Sequence, residues 1–277
     1  MLFRSIEKNG EALLSKPFSE EAAQPPESRR SLTVEDIIAF ADEVDLDDVR
    51  APIARQIEYN TAIAEAGLTG QYGAAIGKIL LDSYGDSVQN RAKAWAAAGS
   101  DARMNGCEKP VVINSGSGNQ GMTASLPVIV YARELKASEE QLYRALVVSN
   151  LVTIHLKTGI GSLSAYCGAT SAGAGAGAGI CYLYGGRYDE IAHTVVNALA
   201  INSGMLCDGA KASCAAKIAS SVDAALLGYN MYKCHQEFKG GDGIVMKDIE
   251  TTIKGIGRLG KDGMKETNEE IIRLMIE

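Results

Sequence analysis

Glycine and alanine alternate through most of residues 168–180, Gly-Ala-Thr-Ser-Ala-Gly-Ala-Gly-Ala-Gly-Ala-Gly-Ile. Strict alternation has a period of two, which is the period of a β-strand. However, residues 187–203 beside this run have a helical pattern, and a single strand of this kind has no partner. We therefore predict a buried helix whose small residues let neighbouring backbones approach closely, although each glycine costs about 1 kcal/mol in a helix.

Most of the chain from residue 32 onward is also helical in pattern. Apolar residues recur at spacings of three and four over residues 51–66 and 71–98. Capping pairs indicate three helix starts: Thr33 with Asp36, Ser138 with Gln141, and Thr267 with Glu270. Strand character is confined to residues 111–113 and to a hairpin around Asn9-Gly10. The predicted fold class is therefore mainly α, with a small β-segment at the N-terminus.

Two regions are predicted along the chain. Residues 1–31 combine the hairpin with a polar, proline-containing linker, and a hairpin alone is only marginally stable. We expect this region to be the truncated remnant of a β-region plus a linker. Residues 32–277 are expected to form one helical domain, so that the chain is the C-terminal portion of a longer protein.

Composition excludes several classes of partner. The net charge of −7 argues against nucleic acid or an anionic membrane as the main partner. No apolar run reaches the roughly 18 residues that a membrane span needs, and no signal peptide is evident. We expect a cytoplasmic protein that acts on a small molecule, and a homodimer is compatible with the sequence. Six cysteines in such a protein do not indicate a disulfide framework.

A glycine-rich segment precedes the helical run at residues 122–136. Gly116, Gly118 and Gly121 match G-x-G-x-x-G, the fingerprint of nicotinamide-dependent oxidoreductases, but the second strand with a terminal acid is missing. The underlying physics remains, because free N–H groups at a helix start favour a carboxylate or a phosphate. The candidate binding residues are Asn114, Ser115, Gly116, Ser117, Gly118, Asn119 and Gln120. A tight polar turn without a ligand is the alternative.

Arg103 lies in a second polar segment, Ser-Asp-Ala-Arg-Met-Asn-Gly at residues 100–106. A guanidinium can hold a substrate carboxylate through two parallel hydrogen bonds. A surface ion pair with Asp101 explains the same residues equally well.

Cys207 and Cys214 lie seven residues apart among small residues at positions 204–217. On one continuous helix they would be about 10 Å apart, which is too far for a shared metal ion or a disulfide. A cluster several ångströms across fits if Cys207 lies in the turn before the helix, with Asp208 as the N-cap. The alternative is that both cysteines are small buried hydrophobic residues.

Five segments together resemble the L-cysteine desulfidase family, which is related to the alpha domain of iron–sulfur L-serine dehydratases. They are residues 100–106, 114–121, 162–169 (Ser-Leu-Ser-Ala-Tyr-Cys-Gly-Ala), 204–217 and 242–250. The resemblance implies an all-helical catalytic domain of the serine dehydratase alpha type, with an oxygen-sensitive four-iron, four-sulfur cluster. By position, the cluster ligands would be Cys167, Cys207 and Cys214, with the fourth iron open to substrate.

The implied reaction converts L-cysteine to pyruvate, ammonia and hydrogen sulfide, with L-serine as the alternative substrate. Residues 114–121 would hold the substrate carboxylate, and we hypothesise that Arg103 and Lys211 assist. The family's catalytic cysteine lies in an N-terminal Gly-Cys-Thr-Glu-Pro-like motif that residues 1–31 lack. We therefore expect this chain to bind a cluster more readily than it turns over substrate. A nicotinamide-dependent oxidoreductase and a non-catalytic helical binding protein are the competing interpretations.

Overall fold

The structure, a computed structural model, describes residues 5–15, 29, 31–161 and 164–277. In these residues, eleven α-helices follow one two-stranded antiparallel sheet, and the prediction of a mainly α fold is confirmed. Most of the predicted linker, together with Ser162 and Leu163, lies outside the described residues. The division into residues 1–31 and 32–277 stays a prediction.

The hairpin consists of β1 (Ser5–Lys8) and β2 (Glu11–Ser15). Asn9 and Gly10 connect the strands with φ values of 53° and 82°. Positive φ at both central residues is the geometry that favours Asn-Gly in two-residue hairpin turns, so the predicted hairpin is confirmed. All of β2 is exposed, and it contributes nothing to the helical core.

The helical part begins just after residue 31. Its helices are α1 (Val34–Glu43), α2 (Leu46–Thr69), α3 (Ile76–Tyr84), α4 (Val88–Met104), α5 (Gly118–Glu134), α6 (Glu139–Ile160), α7 (Gly168–Leu183), α8 (Tyr188–Ile201), α9 (Cys214–Lys233), α10 (Ile249–Arg258) and α11 (Lys265–Ile276). A π-helical turn, Leu259–Gly263, joins the last two. Within the described ranges, none of the helices is both long and apolar enough to cross a bilayer.

Two of the three predicted helix caps are confirmed. The Thr33 side chain accepts a hydrogen bond from the Asp36 N–H, and Ser138 forms a reciprocal capping box with Gln141. The cap predicted at Thr267 is wrong, because α11 already begins at Lys265.

The strand predicted at residues 111–113 is also wrong. The Val112 N–H donates to Asn60 Oδ1 at 2.9 Å, and Asn60 Nδ2 donates back to the Val112 carbonyl at 3.3 Å. A buried side chain on α2 thus takes the place that a partner strand would occupy, and the segment stays extended without a sheet.

Helix α7 lies at the centre of the domain, and the prediction of a buried glycine–alanine helix is confirmed. Its residues 169–181 are all buried. A Cβ on Gly173 would lie 2.6 Å from the Ser221 carbonyl of α9, and one on Gly175 would lie 2.6 Å from the Ser149 carbonyl of α6. Real Cβ atoms do not approach so closely, so these two helices pack directly against the α7 backbone.

Pairs of residues in close contact give the direction of each neighbouring helix. In parallel helices, the residue numbers of contacting pairs increase in the same direction. Helices α7 and α5 are parallel, because Gly168 contacts Gln120 and Gly179 contacts Val128. Helices α7 and α9 are also parallel, because Gly173 contacts Ser221 and Gly177 contacts Ala225. In antiparallel helices, the residue numbers of contacting pairs change in opposite directions. Helices α4 and α5 are antiparallel, because Gly99 contacts Met122 and Arg103 contacts Gly118. Helices α6 and α7 are antiparallel, because Thr153 contacts Gly175 and Ala145 contacts Gly179. The starts of α5, α7 and α9 therefore lie at the same end of the domain as the last turns of α4 and α6.

We expect Gly175→Ala to lower the free energy of unfolding by about 2 kcal/mol, as overpacked cores do. The added methyl group meets Thr153 Oγ1 and the Ser149 carbonyl, although alanine is intrinsically the better helix former. Urea denaturation followed by circular dichroism measures the change. Gly204→Ala is the matched control, because no atom lies within 4 Å of a Cβ at that position. Equal stability of the two variants would contradict this account of the packing.

Candidate functional site

Cys167 and Cys207 are brought together by a short stretch of strand-like pairing. The Cys167 N–H donates to the Met205 carbonyl at 3.1 Å, and the Cys207 N–H donates to the Ala165 carbonyl at 2.7 Å. Tyr166 pairs with Leu206 between these two bonds. Because side chains alternate across extended backbone, both cysteines leave the same face of the pairing. Their thiols share a hydrogen bond.

Cys214 lies on the other side of Gly209 from Cys207. It is the first residue of α9, and its Sγ is 3.5 Å from the Gly209 carbonyl. The Gly209 N–H donates to the sulfur of Cys207, and the φ of 93° at this position requires glycine. Cys207 thus precedes the helix, as a cluster requires. The predicted N-cap at Asp208 is wrong, because Ser213 precedes α9 and the Asp208 carboxylate forms an ion pair with Lys217.

The shared hydrogen bond separates the acidities of Cys167 and Cys207. Accepting it from the Cys167 thiol lowers the pKa of Cys207 to about 6, although burial works in the opposite direction. The Gly209 N–H and the charges of Lys217 and Lys157 add to the lowering. Donating the same bond, together with burial, raises the pKa of Cys167. Cys207 is therefore mostly a thiolate in the folded protein at neutral pH.

The three cysteines do not form a compact site for one ion. Across the described ranges, no three side chains of histidine, cysteine, aspartate or glutamate are grouped closely enough to hold a single metal ion. The sulfurs of Cys207 and Cys214 lie beside Gly209, and Cys167 contacts Cys207, with Lys217 within electrostatic reach of all three.

The predicted glycine loop is a tight turn followed by an open helix start. Asn114 and Ser117 exchange backbone hydrogen bonds of 3.1 and 3.0 Å around Ser115 and Gly116, which have φ values of 49° and 84°. Ser117 then acts as the N-cap of α5. The Asn114 carboxamide forms an internal hydrogen bond, because it donates to Asn150 Oδ1 at 2.9 Å. Ligand donors in this loop are therefore mainly the first N–H groups of α5.

Gln120 connects the loop to the cysteines. Its side chain lies against the start of α7, where a Cβ on Gly168 would be 2.5 Å from Gln120 Cδ. Gly168 directly follows Cys167, the N-cap of α7. The carboxamide is 8% exposed, and its Oε1 accepts no hydrogen bond from the described residues. A buried acceptor without a donor is costly, which makes Oε1 a candidate contact for a ligand.

Arg103 lies on the glycine loop. Its Nη1 donates to Asn119 Oδ1 at 3.3 Å, and its side chain packs on Gly118. The alternative pairing with Asp101 is wrong, because Asp101 is fully buried and accepts from the Gly77 N–H at 3.2 Å. Lys211 lies between Cys207 and Cys214 in the sequence, and its side chain is exposed. Among the described residues, it forms no hydrogen bond or ion pair with residues 114–121.

Two lysines at this site were missed by sequence reasoning. Lys157 in the last turn of α6 has the spacing of an ordinary helix-terminal cation, and nothing in the sequence places it beside Cys167 and Cys207. Lys217 follows Cys214 by three residues, so its presence in the cysteine motif was the one available signal.

We expect Cys207 to react with iodoacetamide at half its maximal rate near pH 6. Its lowered pKa means that the reactive thiolate is present above that pH and is lost as the pH falls through it. Cys167→Ala removes the hydrogen-bond donor and should move the half-maximum upward by about one pH unit. Peptide mapping by mass spectrometry follows each site. Cys234→Ala deletes an exposed thiol as a control and should leave the Cys207 profile unchanged. A Cys207 profile that Cys167→Ala does not alter would contradict the shared hydrogen bond.

Comparison with known proteins identifies the family of the chain. The family described as serine dehydratase alpha chain matches residues 7–273. A UPF0597 protein of Desulfitobacterium hafniense is 64% identical over 98% of this chain and 63% of its own length. A UPF0597 protein of Treponema denticola is 52% identical over 98% of this chain and 64% of its own length. No solved structure matches the chain.

The matched range includes the three cysteines, the glycine loop and the four basic residues of the site, Arg103, Lys157, Lys211 and Lys217. The chain spans about 63% of the length of the Desulfitobacterium relative. The family profile covers nearly all of the chain itself, from the hairpin to the last helix. The chain therefore belongs to the serine dehydratase alpha chain family.

Proposed function

We propose that this chain binds an iron–sulfur cluster through Cys167, Cys207 and Cys214 and belongs to a lyase acting on a small amino acid. The proposed reaction eliminates sulfide from L-cysteine to give pyruvate, ammonia and hydrogen sulfide. The observation that carries the proposal is the meeting of three cysteines and an anion-binding helix start at one end of the domain.

The cysteines suit an iron–sulfur cluster in their chemistry. Thiolates are the usual ligands of such clusters, and hydrogen bonds to the sulfurs tune them. The sulfurs of Cys167 and Cys207 already accept backbone N–H groups, from Ala169 and Gly209. When bound, a cluster with three protein ligands offers one iron as a Lewis acid for the leaving thiol or hydroxyl.

The chain's own residues would bind and orient the amino acid. Arg103 and the free N–H groups at the start of α5 supply positive charge for its carboxylate. Gln120 Oε1 offers an acceptor to its ammonium group. Because these contacts are made to the carboxylate and ammonium groups of the substrate, they would orient its side chain toward the cysteines. They do not distinguish a thiol leaving group from a hydroxyl.

L-serine is the second candidate substrate. The description of the family as serine dehydratase alpha chain favours it. L-serine carries a hydroxyl where L-cysteine carries a thiol, and the contacts proposed above are the same for both. Parallel assays of pyruvate formation from the two amino acids distinguish them.

Anaerobic reconstitution with iron and sulfide tests the proposed cluster. We expect about four irons per chain and a broad visible absorption band. The double variant Cys207→Ala, Cys214→Ala should lose both, whereas Cys234→Ala should keep them because this exposed cysteine lies outside the site. Iron analysis and a visible spectrum are the readouts. Wild-type protein without iron, or a double variant that retains it, would remove the cluster from the proposal.

Arg103→Ala should weaken the binding of L-serine by about tenfold, because a charge-assisted hydrogen bond to the carboxylate is lost. Calorimetric titration measures this without requiring turnover. Arg103→Lys keeps the charge and is expected to retain part of the affinity. Unchanged binding in Arg103→Ala would remove this residue from the substrate site.

A further inference from the structure

Lys157 is a buried cation in the last turn of α6. Only 6% of its surface is exposed. Within the described part of the chain, its ammonium group has neither a carboxylate partner nor a hydrogen-bond acceptor. Its ammonium nitrogen is not among the fully buried polar atoms without a partner, so the aliphatic chain is buried while the charged end keeps access to the site. A cation held in this way, without a carboxylate partner, favours an anion beside it.

Lys157 interacts electrostatically with two cysteines of the site. Burial lowers the pKa of Lys157, and the charges of Cys207 and Cys167 oppose that shift. Because α6 and α7 are antiparallel, the last turn of α6 lies beside the start of α7, where Cys167 is the N-cap. Lys157 is therefore within electrostatic reach of both cysteines.

Neighbouring contacts place Lys157 beside unsatisfied polar groups. Thr153 on α6 lies against Gly175 on α7, and these helices are antiparallel. Lys157 follows Thr153 by one helical turn on α6, and Ser171 precedes Gly175 by one turn on α7. Lys157 and Ser171 therefore face each other across the two helices. Ser171 is fully buried, and its hydroxyl has no hydrogen-bond partner in the described ranges. The region thus combines an unpaired cation with an unpaired hydroxyl.

Lys217, the other lysine near the cysteines, differs in its charge balance. It forms an ion pair with Asp208 and donates to the Leu206 carbonyl at 2.9 Å. Lys217 and Asp208 together contribute little net charge. Of the two described lysines whose charge acts on Cys167 or Cys207, Lys157 is therefore the one without a carboxylate partner.

We propose that Lys157 is the fixed positive charge of the cysteine site, a positioning residue that retains an anionic, thiolate-bound group there. The identity of that group as an iron–sulfur cluster rests on the proposed function. The position of the charge does not, so it can be tested in protein that holds no iron.

Two alkylating reagents of different charge measure the local potential at Cys207. Iodoacetate and iodoacetamide both react with the thiolate by displacing iodide, so the ratio of their rates cancels the fraction of thiolate present. A nearby positive charge raises the rate of the anionic reagent relative to the neutral one. In iron-free protein, we expect Lys157→Met to lower this ratio at Cys207 by about fivefold.

Two further variants make the result specific. Lys157→Arg keeps the charge and should keep the wild-type ratio. Lys136→Met deletes an equal charge from the exposed segment that follows α5, about 25 Å from the start of that 17-residue helix, and should leave the ratio unchanged. An unchanged ratio in Lys157→Met, or an equal fall in Lys136→Met, overturns the inference. Failure of the wild type to bind iron would overturn only the proposed cluster.

Reconstituted protein gives a second readout. Loss of a positive charge disfavours addition of an electron to a nearby anionic group, so Lys157→Met should shift the reduction potential of the bound cluster to more negative values. Lys157→Arg should not. A potential that is the same in Lys157→Met and wild type would overturn the role of Lys157 in holding that group.

Discussion

The close approach of α6 and α9 to the backbone of α7 determines how the domain is assembled. In a helix, residues two apart point in nearly opposite directions, so alternating glycines produce two stripes on opposite sides. Gly173 and Gly177 face α9, while Gly175 and Gly179 face α6. Each stripe lets a neighbouring helix pack against bare backbone. A run with the period of a strand thus specifies the central helix of an all-helical core.

This packing also fixes which helix ends meet. Because α5, α7 and α9 run parallel and α4 and α6 run antiparallel to them, three N-termini and two C-termini share one end of the domain. The N-termini carry partial positive charge and favour anions, and the C-termini accommodate the cations Arg103 and Lys157 in their last turns. Cys167 and Cys214 occupy the starts of two of the three parallel helices. The site is therefore a consequence of helix direction as much as of any single motif.

Local sequence patterns predicted the elements better than their boundaries. The Asn9-Gly10 hairpin, the caps at Thr33 and Ser138 and the buried α7 follow from short-range rules, and the structure has them. Two predictions failed because side chains elsewhere in the chain bind the residues concerned. Asn60 on α2 satisfies the backbone of Val112, so an apolar extended segment forms no sheet. Lys217 engages Asp208, which removes that side chain from helix capping. The importance of Lys157 depends on α7 and the loop after α8, and its own neighbours in sequence carry no sign of it.

The distribution of charge at this end makes the proposed anion binding compatible with a net charge of −7. Acidic residues dominate the protein as a whole, but the carboxylate of Asp208, next to Cys207, is paired with Lys217. Among the described residues, the helix dipoles and the charge of Lys157 then face the sulfurs of Cys167 and Cys207. Because burial reduces screening by solvent, one unpaired cation there has a larger effect than several exposed ones elsewhere. Net charge therefore describes the protein's long-range field, whereas anion binding depends on the few charges that helix packing places at the cysteine end.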